Sequence, residues 1–350
     1  MPPESTGSGP DPVAAFAERT PPLLALVVAV AAVSTSAVLV RWAAAPSAVT
    51  AFYRVLFTTL LLVPLVGTRY GGAFRRLAPR DGFVAAVSGI ALAVHFAAWF
   101  ESLRWTSVAA SVTLVQAQPA FVAVGAWLAL DERVDRLTAL GVVVALAGMA
   151  LLSAGELLSG AAVAGDRPLY GNALAVLGAA AAAAYVLVGR TLRQRVPLLP
   201  YVTVVYAACA MALLVFVVGG ALGGVEGSLL RPGSGAVGAV ADTLFDHPRA
   251  DWLLFLAMAV GPGLLGHTVV NWALAHVESS VVSVSLLGEP VGATLLGVVL
   301  LGEVVGPVTV VGGAVVLAGV AVTARARDTP ESSGGEPAGP HGDEPPETVE

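Results

Sequence analysis

Long apolar runs alternate with short polar connections along most of this sequence. A helix of about 20 apolar residues spans the hydrocarbon core of a bilayer, which is about 30 Å thick. The runs predict ten transmembrane helices, at 22–41, 47–67, 82–103, 107–130, 134–154, 169–189, 199–222, 252–275, 279–301 and 305–324. The composition agrees, because 57% of the residues are hydrophobic and only 12% are charged, against about 25% charged in soluble domains. We therefore expect an all-α integral membrane protein.

The arginines indicate how these helices are oriented. All 18 basic residues are arginines. If both termini are cytoplasmic, twelve arginines lie on the cytoplasmic side and five on the other, while Arg54 lies inside the second run. Short loops that carry positive charge stay on the cytoplasmic side. This predicts a multi-pass protein of the cytoplasmic membrane with both termini cytoplasmic and the connection 223–250 external.

The chain also contains an internal repeat at an offset of 171 residues. This offset aligns, without a gap, Gln118 with Glu289, Pro119 with Pro290, and Glu132 with Glu303. It also aligns GVVVALAGMA (141–150) with GGAVVLAGVA (312–321). Each repeat holds five runs, and an odd number forces the two repeats to insert with opposite orientation. Inverted repeats are typical of carriers that bind their substrate near the midplane of the membrane.

The predicted organisation follows from the runs and the repeat. It comprises a disordered cytoplasmic tail (1–20), a first five-helix repeat (21–154), a linker (155–168), a second five-helix repeat (169–326) and a disordered acidic tail (327–350). Both tails are polar and rich in proline and glycine, a composition typical of disorder. The first tail lacks the basic stretch and short apolar core of a secretory signal.

Two matching segments resemble a known family. QPAFVAVGAWLALDE (118–132) and EPVGATLLGVVLLGE (289–303) are each followed by a glycine-spaced last helix, and FYR (52–54) stands in the second run. They resemble the paired repeats of EamA-type transporters in the drug/metabolite transporter superfamily. The resemblance covers about residues 22–325. It implies a ten-helix inverted-repeat carrier, often an exporter of amino acids or related metabolites, and it leaves the substrate open.

Glu289 is the main candidate for function, since a carboxylate within an apolar run is costly and marks a functional site by default. It directly precedes Pro290, which removes a helical hydrogen bond and frees the carbonyl of Leu286. Glu289 could line a cavity and bind a proton or cation, or it could serve only to tie down the freed backbone. Its repeat mate Gln118 is either a ligand contact or a partner of the Pro119 kink.

Three further polar sites lie inside the runs. His95 and Trp99 are four residues apart and so share one helix face, and His267 and Asn271 repeat this spacing in the second half. We expect both pairs to line a cavity. Arg54 could bind a substrate carboxylate, or it could pair with an acidic group or extend to the membrane interface. Tyr185 and Tyr206 could line the cavity, although packing or interface positions are favoured for them, and loop-facing caps are favoured for Glu132 and Glu303.

These residues support a transporter better than an enzyme. HExxH, GxSxG and GxxxxGK[ST] motifs are absent from the sequence, so hydrolase and ATPase chemistry have no motif. We expect no cofactor, no metal site and no nucleic-acid partner. The prediction is a secondary active transporter, an exporter of small metabolites that works by alternating access and is coupled to a proton or cation through Glu289. The alternative is a membrane sensor or assembly protein that transports nothing.

Overall fold

The computed structural model describes residues 21–75, 78–130, 135–159, 165–190, 192, 196, 198–227, 235–269 and 285–328. These residues are helical throughout apart from short connections, and the described part contains no strand. The helices of the first half are α1 (Pro22–Ser34), α2 (Ser36–Trp42), α3 (Ser47–Arg75), α4 (Pro79–Trp105), α5 (Val108–Val115), α6 (Gln118–Leu130) and α7 (Arg136–Ser159). Those of the second are α8 (Pro168–Arg190), α9 (Leu198–Gly227), α10 (Ala236–Phe245), α11 (Arg249–Met258), α12 (Gly288–Leu301) and α13 (Pro307–Asp328), with a π-helix (Ala259–Thr268) after α11.

Nine helical segments of this described part are long and apolar enough to cross a membrane. Each overlaps one predicted run, so the all-α transmembrane fold is confirmed. The remaining run, 279–301, is represented by α12, and residues 279–284 lie outside the described residues. The count of ten therefore stays a prediction. Both tails fall largely outside the described residues, and α10 lies within the connection that was predicted as a loop.

Two helices are interrupted at equivalent positions of the repeat. The fourth predicted run divides into α5 and α6 at Gln116 and Ala117, and the ninth has a turn at Leu287. In each case a proline, Pro119 or Pro290, lies in the first turn of the following helix. Proline is tolerated there because the N–H that it lacks has no helical partner at that position. The break thus places Gln118 and Glu289 at helix starts.

The last helices of the two repeats, α7 and α13, pack against each other through glycines. A Cβ atom at Gly148 would lie 2.5 Å from the backbone nitrogen of Val316. At the equivalent Gly319 it would collide with the backbone nitrogen of Ala145, the equivalent of Val316. Small residues allow such close approach of membrane helices. Residues further along α7 lie against residues earlier in α13. These equivalent helices are therefore antiparallel, and the two repeats are inverted.

The π-helix continues α11 within the eighth predicted run. Its sequence AVGPGLLGHT contains Pro262 between two glycines. A Cβ atom at Gly263 would lie 2.8 Å from the hydroxyl of Thr58 on α3, so the absence of a side chain lets this irregular turn approach its neighbour. π-Helices are rare and often occur at functional sites. Pro262 lines a cavity between the two repeats.

Candidate functional site

A cavity of about 260 Å³ lies between the two repeats. Apolar side chains form part of its wall, but its most distinctive feature is the number of polar groups that converge on it. The first half contributes Val33, Ser36, Arg54, Leu92, His95, Phe96, Trp99, Val115, Gln116 and Gln118, and the second half contributes Ala182, Tyr185, Val202, Tyr206, Pro262 and Glu289. Its position between inverted repeats is where carriers bind their substrates.

The cavity brings together most of the residues that the sequence singled out. Glu289, Gln118, His95, Trp99 and Arg54 all line it, although their spans are far apart in the chain. Asn271 and the side chain of His267 lie outside the described residues. The role of all seven in substrate binding stays a prediction.

Glu289 is held by a residue that the sequence analysis missed. The Gln116 side chain donates from Nε2 to Glu289 Oε2 at 2.7 Å, across the boundary between the repeats. Gln116 occupies the interruption between α5 and α6, and its repeat mate is the apolar Leu287. The sequence does show a second glutamine two residues before Gln118, in VQAQP, which could have indicated Gln116 as a polar residue of the same helix break. This contact fixes one carboxylate oxygen and leaves Oε1 free of any hydrogen bond within the described residues.

Arg54 is buried, with only 3% of its surface exposed. Its guanidinium lies over aromatic rings of α4, with its carbon 4.5 Å from the ring centre of Phe96 and 5.5 Å from that of Phe100. Such cation–π contacts compensate part of the cost of removing the charge from water. Among the described residues, no carboxylate lies within 4.0 Å of this guanidinium. An ion pair of the described part joins two other residues, Arg41 and Glu303. Arg54 therefore offers the cavity a positive charge without a direct counter-ion.

His95 is oriented by the backbone of α8. Its Nδ1 lies 2.9 Å from the carbonyl oxygen of Gly178, which can only accept, so Nδ1 carries a proton and donates. In the neutral ring this leaves Nε2 as an acceptor. The ring also stacks on Trp99, with centres 5.8 Å apart. His95 and Trp99 thus lie together in one wall of the cavity.

Three buried polar atoms of the described residues have no hydrogen-bond partner: Ser36 Oγ, Arg54 Nη1 and Trp99 Nε1. All three residues line the cavity. Buried polar groups are almost always hydrogen-bonded, and each exception needs an explanation. Three residues of one cavity wall therefore retain unused hydrogen-bonding capacity within the described structure.

The structure also places the other polar residues. Tyr185 and Tyr206 line the cavity, which was the less favoured alternative for them. Glu303 is not a loop-facing cap of its own helix, since it accepts from the backbone N–H of Val108 at the start of α5. Glu132 lies outside the described residues. Glu156, which the sequence did not single out, is 1% exposed and accepts hydrogen bonds from the hydroxyls of Thr106 and Ser107 between α4 and α5.

A multi-pass bundle of inverted repeats around a polar cavity is an architecture typical of membrane transporters. Comparison with known proteins gives the family. The sequence model of the EamA-like transporter family matches residues 20–154 and 169–325. The chain belongs to this family, and the two matched segments contain its two repeats.

Two further comparisons are less specific. No protein of curated function matches the chain at a significant level. A solved structure, titled only "Crystal structure of protein", is 21% identical and superposes with a TM-score of 0.52, covering 88% of this chain and 99% of that one. At this identity the similarity shows the fold alone.

Proposed function

We propose that this protein is a secondary active carrier that exports small metabolites, such as amino acids or related compounds, across the cytoplasmic membrane by alternating access. The observation that carries the proposal is the set of three unpartnered polar atoms on residues that line one cavity, together with the carboxylate of Glu289 in the same lining. A volume of about 260 Å³ suits a metabolite smaller than the drug-sized ligands that fill about 300–1,000 Å³.

The unpartnered atoms favour a carboxylate on the substrate. Arg54 Nη1 and Trp99 Nε1 can only donate hydrogen bonds, and the Ser36 hydroxyl can also donate. A carboxylate accepts several hydrogen bonds and neutralises the guanidinium, whose charge no acidic group of the described residues pairs directly. Hydrogen bonds between charged partners are about twice as strong as those between neutral ones. Substrate binding would thus satisfy all three groups at once.

Glu289 favours a cationic group at the other end of the substrate. Within the part of the chain that the structure describes, one of its oxygens is engaged, by Gln116, and a buried carboxylate is stable when it is paired or protonated. An ammonium group of the substrate and a proton would compete for this carboxylate. Exchange of a proton for a substrate ammonium, as the cavity faces each side in turn, would couple export to proton entry.

Loading from the cytoplasm is supported by the position of the cavity. Its lining residues Tyr185, near the end of α8, and Val202, near the start of α9, lie toward the ends of these helices that the arginine distribution predicts to be cytoplasmic. On the opposite side, the lining residues Arg54 and Val115 lie about two turns inside α3 and α5. The cavity therefore extends toward the predicted cytoplasmic side.

The test is transport in proteoliposomes with a panel of amino acids and matched analogues, amines without the carboxylate and acids without the amine. We expect zwitterions to move and both analogues to compete poorly. Arg54→Gln should abolish recognition of the carboxylate, and Arg54→Lys should restore part of it. Arg167→Gln is the matched control, since Arg167 also lies over an aromatic ring, Trp105, but does not line the cavity.

Two outcomes would contradict the proposal. Transport of zwitterions by Arg54→Gln at the parental rate would remove the assigned role of the guanidinium. Failure of every solute to cross the membrane, with folded protein and in both directions, would favour the sensor or assembly protein instead.

A further inference from the structure

One ion pair joins the two repeats near the end of the bundle that is predicted to be external. Arg41, at the end of α2, contacts Glu303, which follows α12, with 3.1 Å between Nη2 and Oε1. Each partner also holds a third element. Arg41 donates from Nη1 to the carbonyl oxygen of Leu103 at 2.5 Å, and Glu303 Oε2 accepts from the N–H of Val108 at 2.9 Å. The pair therefore ties together α2, α4, α5 and the end of α12.

This ion pair lies beyond the cavity along each of these helices. On α2 the cavity-lining Ser36 is five residues before Arg41, and on α4 Trp99 is four residues before Leu103. On α5, which runs the opposite way, Val115 is seven residues after Val108. At 1.5 Å per residue these separations are about 6–11 Å. The contacts of Arg41 and Glu303 thus close the bundle between the cavity and its predicted external end.

The exposure of the pair suits a contact that opens. The side chains of Arg41 and Glu303 are 32% and 10% exposed, so the Arg41 end of the pair borders water, which lowers the cost of separating the charges. Asp251 joins the two repeats at the same end but is 2% exposed. It accepts from the N–H groups of both Ala44 and Ala45 at 3.1 and 2.8 Å, so its departure would leave two backbone donors unsatisfied, whereas Glu303 holds only that of Val108 among the described residues. Asp251 therefore serves as a fixed contact.

We propose that Arg41 and Glu303 form the latch of the external gate, and that their separation frees the start of α5 and opens the cavity to the outside. The latch rests on the proposed carrier function, because a gate on this side is needed only if the cavity faces each side in turn. Glu303 thereby has a conformational role rather than a part in binding. Its repeat mate in the sequence is Glu132.

Cysteine accessibility tests the latch without any substrate. The background is Cys209→Ala, which removes the buried native thiol, combined with Val115→Cys as a reporter in the cavity. A charged, membrane-impermeant thiol reagent is added to intact cells, or to inside-out vesicles that expose the cytoplasmic side. We expect the reporter to be protected in cells and labelled in vesicles, because the cavity is closed at the Arg41 end.

Arg41→Gln and Glu303→Gln should each raise the labelling rate in cells by about tenfold, since the open conformer is minor and a tenfold change in its population corresponds to about 1.4 kcal/mol. The exchanged pair, Arg41→Glu with Glu303→Arg, should restore protection. Asp251→Asn is the matched control, which removes an acidic contact between the repeats at the same end, and it should label like the background.

The latch is overturned if neither single variant labels faster than the background, if the exchanged pair labels as fast as the single variants, or if Asp251→Asn labels as fast as Glu303→Gln. Labelling of the background in cells but not in vesicles would place the latch on the cytoplasmic side and overturn the external assignment. Transport by proteoliposomes is measured separately. If the variants do not label faster but the protein transports solutes, the gate alone is refuted. If the variants do label faster but the protein moves no solute, the carrier function is refuted.

Discussion

Replacing Glu289 by glutamine separates a transport role from a structural one. The substitution keeps the size and one acceptor oxygen of the side chain and removes only the charge. The Gln116 amide, which donates to Glu289 Oε2 at 2.7 Å, can donate to the new amide oxygen as well. If Glu289 only ties down the helix start before Pro290, the variant should therefore fold and transport nearly as the parent does.

The contacts of Glu289 set the expected magnitudes. Exchange of a hydrogen bond to a charged acceptor for one to a neutral acceptor costs about 1 kcal/mol, and the lower cost of burying an amide offsets part of this. The stability of Glu289→Gln should thus change by less than about 1 kcal/mol. If the carboxylate binds an ammonium group, the loss of a buried charge pair costs about 2–5 kcal/mol, or about 30-fold to several thousand-fold in substrate affinity.

The assay compares initial rates of substrate uptake into proteoliposomes from pH 5 to 9, with thermal melting in detergent as the control for folding. The wild-type rate should vary with pH, because proton and substrate compete for one carboxylate, whereas the residual rate of Glu289→Gln should not. Glu289→Asp shortens the side chain but keeps the charge, and it should retain the pH dependence at a reduced rate. A wild-type rate with an unchanged pH profile in Glu289→Gln would leave Glu289 as a packing residue.

Three other predictions follow from the structure and the sequence. Gly148→Ala should lower the melting temperature by the equivalent of about 1–3 kcal/mol, because its Cβ would lie 2.5 Å from Val316 N. Gly219→Ala is the control and should not, since no neighbouring atom lies within 4 Å of a Cβ there. Equal melting of both variants would contradict the close packing of α7 and α13. Glu156→Gln should melt near the parent, but Glu156→Leu should be destabilised by about 1–3 kcal/mol, because the buried Ser107 hydroxyl loses its acceptor, while Thr106 keeps Asn172 Oδ1 as an acceptor. A stable Glu156→Leu variant would show that the Ser107 hydroxyl finds another partner. With Cys209 replaced, a cysteine at Ser228 should react with an impermeant reagent in intact cells and one at Ser332 should not, and the reverse pattern would overturn the predicted topology.

The transmembrane runs could be predicted because the length of an apolar stretch is a local property. The breaks near Pro119 and Pro290 are local as well, since they follow from a missing N–H. The end of α7 was placed too early, at residue 154, because Glu156 has the polarity of a loop residue. Hydroxyls from other helices satisfy this carboxylate, so the helix continues to Ser159.

The partners inside the bundle could not be predicted in the same way. Membrane helices are apolar on every side, so hydrophobic periodicity does not show which face points inward. Gln116 and Glu289 are 173 residues apart, and Arg41 and Glu303 are 262 residues apart. Only the packing of whole helices determines such pairs. Polar residues in apolar runs did indicate Arg54, His95 and Glu289 as cavity residues, because each would otherwise be costly in lipid.

The π-helix Ala259–Thr268 coincides with a shift of one residue in the spacing of the two repeats. The repeat register of 171 residues relates Gln118 to Glu289, but His267 follows His95 by 172 residues and Asn271 follows Trp99 by 172. A π-helix closes its hydrogen bonds one residue further along than an α-helix, so it accommodates one extra residue without ending the helix. An alignment that pairs His95 with His267 therefore needs one extra residue in the second half at Ala259–Thr268 and one residue fewer between there and Glu289. An alignment without that gap would pair His95 with Gly266.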